Sequence, residues 1–123
     1  MKVLKFGGTS VGSVKAIQQV FNIAQQQVKE NKLIIVVSAM GGTTDVLLNA
    51  GNYAATGDET YKDLIKQVEL RHLETVKELV PVQTQSSTLS LIKKLSNEIE
   101  DLCNGIFLLG ELSARIKDRL VSY

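Results

Sequence analysis

A chain of 123 residues that is 44% hydrophobic and 22% charged has ordinary globular composition, enough for one domain-sized core. Fourteen basic against thirteen acidic residues leave a formal charge of +1, which argues against a bulk electrostatic partner such as nucleic acid or an anionic membrane. Its apolar runs are too short to cross a bilayer, it opens on no signal peptide, and its single cysteine, Cys103, has no internal disulfide partner; a cytoplasmic setting is expected.

Val3, Leu4 and Phe6 give Lys2–Phe6 the character of a first strand, with Lys5 near its end. Gly7 to Gly12 follow as a turn rich in glycine and hydroxyls. From Ser13 to about Lys29, Val14, Ile17, Val20, Phe21, Ala24 and Val28 recur at three and four residues, one face of an amphipathic helix with Ser13 as N-cap. Asn31 and Lys32 end it. Leu33–Val37 is continuous, apolar and rich in β-branched residues, as expected of a strand buried on both faces. Strand, helix and strand make a right-handed βαβ unit with parallel strands. The rest reads as helices. Thr43 or Thr44 caps one that runs through Val46, Leu47, Ala50 and Ala54 and ends near Gly57. Asp58–Val80 carries Tyr61, Leu64, Ile65, Val68, Leu73, Val76 and Leu79 at helical spacing, and Pro81 follows the stop. Thr84–Ser87 is cap-like and leads into Leu91, Ile92, Leu95, Ile99, Leu102 and Ile106, until Gly110 breaks the pattern. Leu112, Ile116 and Leu120 mark a last short helix, with Arg115, Lys117 and Arg119 on a solvated face. The fold class is α/β: a βαβ unit followed by a mostly helical segment.

Parallel strands place their C-terminal ends on one sheet edge, where open α/β sheets bind ligands. Lys5–Gly8 and Ser38–Thr44 therefore emerge side by side. Successive backbone amides at a glycine turn form an anion-binding concavity, and a neighbouring lysine neutralises phosphate charge. The generic motifs do not fit. Gly7 to Gly12 has Walker A spacing, but Ser13 and Val14 follow, and Gly7-Gly8-Thr9 breaks the dinucleotide fingerprint. On physics alone the turn is an anion site or a structural tight turn, and Lys5 a phosphate ligand or a snorkelling strand lysine. Ser38 and Thr44 likewise bind a ligand or serve as turn former and helix cap. His72, among Glu69, Arg71 and Glu74, reads as a surface or satisfied core residue, and Cys103, beside Leu102, has no activating motif. His, Cys and carboxylates show no metal-ligand spacing.

Taken whole, Lys5-Phe6-Gly7-Gly8-Thr9-Ser10-Val11-Gly12 resembles the N-terminal signature of aspartokinases, in the amino-acid kinase family. Val36-Val37-Ser38-Ala39-Met40-Gly41-Gly42-Thr43-Thr44-Asp45 resembles that family's second nucleotide- and substrate-facing loop. Leu120-Val121-Ser122-Tyr123 resembles the run leading into its Gly-Glu active-site motif. The resemblance implies a three-layer α/β/α amino-acid kinase domain. Residues 1–123 would be the N-terminal part of the catalytic domain, with the nucleotide-binding half and the regulatory domains lying beyond Tyr123. The helical segment resembles an insertion of the long monofunctional and the bifunctional aspartokinase/homoserine dehydrogenase types.

The same resemblance implies an aspartate kinase, a phosphotransferase that uses ATP with Mg²⁺ to phosphorylate the β-carboxylate of L-aspartate on the way to lysine, threonine and methionine. The parent would be a cytoplasmic homo-oligomer without nucleic-acid or membrane partners, and the 123 residues alone would be inactive. Carried over by position, Lys5 contacts the transferred phosphate, and Lys5, Phe6, Gly7, Gly8, Thr9 and Ser10 face the nucleotide. Ser38, Gly41 and Thr44 face the amino acid, and Ser38 helps to orient Lys5. Thr44, rather than Thr43, is the ligand-facing threonine. Gly41 and Gly42 provide close backbone approach or a plain turn. No residue is assigned to a metal. Gly110-Glu111-Leu112-Ser113 looks like the catalytic Gly-Glu segment, but Leu120–Tyr123 matches the residues before that segment, so Glu111 is a decoy. Two alternatives stand beside this reading. One is another amino-acid kinase, acting on glutamate, acetylglutamate or a nucleotide, against which Ser10-Val11-Gly12 and Ser38–Asp45 argue. The other is a non-catalytic helical interaction or regulatory module derived from a kinase.

Overall fold

A computed structural model describes residues 1–123, which divide into two compact units, Met1–Thr43 and Thr44–Tyr123. The first unit is the βαβ element. Strand β1 (Lys2–Phe6) and strand β2 (Leu33–Val37) pair in parallel, in register from Lys2 opposite Leu33 to Phe6 opposite Val37. Helix α1 (Val14–Val28) makes the crossover. Ser13 caps it as its sequence requires: its extended backbone lets Oγ accept from the Ala16 amide at 3.1 Å, satisfying one orphan N–H of the first turn. At the far end, Lys2 Nζ donates to Gln27 Oε1 at 2.9 Å and ties the start of β1 to the last turn of α1.

Within residues 1–123 the expected burial of β2 on both faces is not reached. Ile34, Ile35, Val36 and Val37 are 45–58% exposed, and Phe21 and Val28 of α1 are exposed as well. The sheet has two strands, so β2 has a single strand neighbour, and one helix can cover one face at most. Val20 is the only buried residue of α1.

The second unit is helical. Helix α2 (Thr43–Ala55, whose first residue closes the first unit) is followed by α3 (Tyr61–Leu79), a 3₁₀ turn at Val82–Thr84, α4 (Gln85–Leu109) and α5 (Ala114–Val121). Thr43 and Thr44 are the first residues inside α2 and not its cap, because Gly42, with φ +83°, makes the left-handed turn into it. The start of α3 falls at Tyr61 and not at Asp58. The Asp58 carboxylate accepts from the amide and hydroxyl of Thr60, at 2.9 and 2.6 Å, and these donors hold it below the usual carboxylate range and the backbone in a turn. Between α3 and α4, Gln85 Nε2 donates to the carbonyls of Lys77 and Val80 and closes the end of α3.

One core joins the four helices: Leu47, Ala50 and Ala54 from α2, Tyr61 and Ile65 from α3, Ile99, Cys103 and Ile106 from α4, and Leu120 from α5. Tyr61 buries its ring beside Phe107 and satisfies its hydroxyl by donating to Asn104 Oδ1 at 2.6 Å. Across the α3–α4 hairpin, Glu69 is buried and held by Lys93 at 2.7 Å and Lys66 at 3.9 Å. No helix is long and apolar enough to cross a membrane.

Candidate functional site

The register of β1 against β2 decides what stands at the edge of the first unit. With Phe6 opposite Val37, the residues that follow, Gly7 and Ser38, leave the sheet as neighbours. The Ser38 amide donates to the Phe6 carbonyl at 3.0 Å and extends the ladder one step beyond β2. Lys5 is exposed one residue before the end of β1, and its ammonium has neither a hydrogen bond nor an ion pair. Ser38 touches β1 through its backbone.

After Phe6 the chain makes two successive tight turns. Ser10 N–H donates to the Gly7 carbonyl at 3.1 Å, and Gly12 N–H to the Thr9 carbonyl at 3.3 Å. The amides of Gly7, Gly8 and Thr9 donate to no acceptor of the protein. Three consecutive free donors, two residues along the chain from an exposed lysine without a partner, are the ingredients of an anion cradle. A Cβ on Gly7 would meet nothing within 4 Å, so the approach to these amides is open. On the α1 side of the turn, Phe6, Thr9, Ser10, Gln19 and Val20 line a cavity of about 360 Å³.

The second loop meets the first through backbone. Gly41 N–H donates to the Gly8 carbonyl at 3.0 Å, and a Cβ on Gly8 would stand 3.1 Å from Gly41 Cα. The close approach expected of Gly41 is therefore to Gly8, and the donor it would offer a ligand is already engaged. Thr43 is buried, its amide bonded to the Met40 carbonyl at 3.0 Å and its Oγ1 without a partner. Thr44 opens the second unit as an exposed residue in the first turn of α2. The structure thus brings Lys5, Gly7, Gly8, Thr9, Ser10, Ser38 and Gly41 to one end of one parallel strand pair. The contact between Gly8 and Gly41, and the tight fit of Gly12, where a Cβ would stand 3.0 Å from the Gly8 carbonyl oxygen, were not legible beforehand. Glycines in both loops were the only signal.

The residues set aside in the sequence have structural places. Glu111 is exposed in the link between α4, which ends at the left-handed Gly110, and α5, which Ser113 caps by accepting from the Ile116 amide at 3.2 Å. His72 is half-buried, with Nδ1 2.7 Å from the Val68 carbonyl. Cys103 is fully buried, and burial pushes its thiol up to about 11, which makes it a poor nucleophile at neutral pH. Arg115, Lys117 and Arg119 are exposed. No group of three or more His, Cys, Asp or Glu stands together.

Comparison with known proteins gives three findings. The model of the amino acid kinase family matches residues 1–120. Aspartokinase 2, chloroplastic, of Arabidopsis thaliana is 36% identical over 98% of this chain, and a bifunctional aspartokinase/homoserine dehydrogenase 1, chloroplastic, of Zea mays is 30% identical over the same share. The chain spans 22% and 13% of the length of these relatives. Among solved structures, E. coli aspartokinase III in complex with aspartate and ADP superposes with a TM-score of 0.80 at 24% identity, over 98% of this chain and 25% of that one; the likeness is one of fold.

Proposed function

Because the chain belongs to the amino acid kinase family, we propose that its residues form the N-terminal part of the catalytic domain of an aspartate kinase, which transfers the γ-phosphoryl group of ATP to the β-carboxylate of L-aspartate. The observation that carries the reading is the set of uncommitted donors at the end of β1: the Lys5 ammonium and the amides of Gly7, Gly8 and Thr9. Phosphoryl transfer passes through a loose transition state whose charge lies on non-bridging oxygens, so the protein's task is positioning and neutralisation. Fixed amides and one compact cation suit that task.

In this reading a β-carboxylate oxygen of aspartate forms the new P–O bond. The bond from the γ-phosphorus to the bridging oxygen breaks, and ADP leaves with the electron pair. Lys5 meets the transferred group, the Gly7–Ser10 turn holds the phosphates, and Mg²⁺ arrives with the nucleotide to neutralise their charge. Ser38 and Thr44 supply hydroxyls to the amino acid, with Gly41 shaping the loop between them. The names of the relatives support aspartate as acceptor, and the aspartate and ADP bound by E. coli aspartokinase III support the ligand pair for that fold.

The test is ADP release, coupled to an indicator reaction, from the full-length protein that carries these residues, with L-aspartate, L-glutamate or no acceptor, and with hydroxylamine to trap an acyl phosphate. Aspartate-dependent ADP release with matching aspartyl hydroxamate is expected. Release that ignores aspartate, or that answers only to glutamate, overturns the assignment.

A further inference from the structure

We infer that Gly8 and Gly41 are positioning residues that lock the two loops of the site together, so that the phosphate-facing turn and the amino-acid-facing loop set each other's geometry. The inference rests on the kinase reading above for its activity readout and on the first unit alone for its geometry. Gly41 N–H donates to the Gly8 carbonyl at 3.0 Å. A Cβ built on Gly8 would lie 3.1 Å from Gly41 Cα and 3.3 Å from the Ala39 carbonyl oxygen. A Cβ on Gly41 would lie 3.1 Å from the Gly8 carbonyl oxygen, and one on Gly12 would lie 3.0 Å from that same atom. Every one of these neighbours is backbone. A side-chain end would swing aside, whereas here a whole loop must move by a few tenths of an ångström.

Torsion does not explain these glycines. Positive φ is confined to Gly42, Gly57 and Gly110, so torsion does not bar an alanine at 8 or 41, and it is the opposite loop that must give way to its Cβ. Gly7, adjacent to Gly8 but facing open space, shows that the requirement is local to the contact. The loops belong to different strands and different proposed ligands. Spreading them displaces both sites at once.

The consequence is a crossed effect. Gly41→Ala lies in the amino-acid loop, yet it should raise KM for ATP as well as for aspartate, and Gly8→Ala, in the phosphate-facing turn, should likewise raise KM for aspartate as well as for ATP. A misplacement of about 1 Å costs on the order of a hundredfold, so a few tenths should move each KM about fivefold. The double variant should be no worse than the worse single one, because the first substitution has already parted the loops. Gly105→Ala, in open space within α4, is the control and should leave both constants unchanged. A merely structural role would lower the melting temperature and the amount of active enzyme without moving either KM.

Steady-state kinetics of the full-length protein and its Gly8→Ala, Gly41→Ala and double variants decide the crossed effect. Crossed, non-multiplying KM changes support the lock. A Gly41→Ala change confined to aspartate, multiplying effects, or unmoved KM values overturn it. Amide hydrogen exchange on the unsubstituted protein tests the contact without relying on variants that fold or on kinase activity. The Gly41 amide should be protected well beyond the free amides of Gly8 and Thr9, and exchange of Gly41 as fast as theirs overturns the lock by itself. Loss of aspartate-dependent turnover in the parent, with Gly41 protected, would refute the kinase reading and leave the lock standing.

Discussion

Replacing Lys5 by methionine separates its proposed catalytic role from its role in the strand. Methionine keeps an unbranched apolar stem and removes only the charge. The structure sets the stability side of the account. Lys5 is exposed near the end of β1 and its ammonium has no partner, so the substitution breaks no hydrogen bond and leaves no buried charge. Surface changes of this kind stay within about 0.5 kcal/mol. The catalytic side is larger. One preorganised donor to transition-state charge is worth about 3 kcal/mol, which is roughly a hundredfold in rate. The assay is coupled ADP release from the full-length protein at saturating ATP and aspartate, beside a thermal melt of the same preparation. Lys5→Met should lose about a hundredfold in kcat with an unchanged melting temperature. Lys5→Arg should recover part of the loss, since it restores the charge but spreads it over a planar fork. A kcat near that of the parent would refute the reasoning and leave Lys5 a solvated strand residue. A fall in melting temperature of the same order as the kinetic loss would do so too, by making the effect structural.

Four further outcomes follow from packing and charge. Lys93→Met removes the 2.7 Å partner of buried Glu69, and urea unfolding should show a loss of about 1–2 kcal/mol, below the usual figure for a broken buried pair because Lys93 is half exposed and Lys66 remains nearby. Thr43→Val replaces a buried, unpartnered hydroxyl by a methyl group of the same shape and should raise stability by about 1 kcal/mol; a loss would show that the hydroxyl has a partner. The Cys103 thiol, raised by burial from its ordinary 9.0 to about 11, holds its proton longer in the folded chain than in the unfolded one. Its contribution to stability is therefore complete below pH 9 and lost as pH rises toward 11, and Cys103→Ala should flatten that part of the pH dependence of urea unfolding. Glu111→Gln, in the exposed link between α4 and α5, should leave kcat within about twofold of the parent, whereas a loss near that of Lys5→Met would make it the functional glutamate.

What the sequence made legible was local. The bounds of β1 and β2 follow from their short β-branched and apolar runs, and α1 starts where Ser13 can bond the Ala16 amide. Gly110 likewise announces the end of α4. Each of these is decided by contacts within a few residues. The misses share the opposite property. An apolar run tells that β2 favours burial, not whether a neighbour covers it, and covering is a matter of strand count. Helical spacing continued back to Asp58 because periodicity ignores the competing turn that its carboxylate forms with Thr60. Glu69 occupies a position on the buried stripe of α3 and stays there because Lys93, 24 residues away, reaches it.

The glycines of the site make the same point at the level of function. In the sequence Gly7, Gly8, Gly41 and Gly42 are equivalent, all flexible and all small. In the structure they answer three different demands. Gly42 is there for its left-handed torsion, Gly7 stands before open space, and Gly8 and Gly41 are there because each backbone occupies the volume a Cβ would need. A torsional glycine tolerates asparagine better than alanine, whereas a crowded one rejects both. Gly42→Asn should therefore be milder than Gly42→Ala, while at Gly41 the asparagine should be at least as harmful as the alanine. That inversion between adjacent residues is a consequence of two strands delivering their loops to one edge, and no reading of either loop alone would produce it.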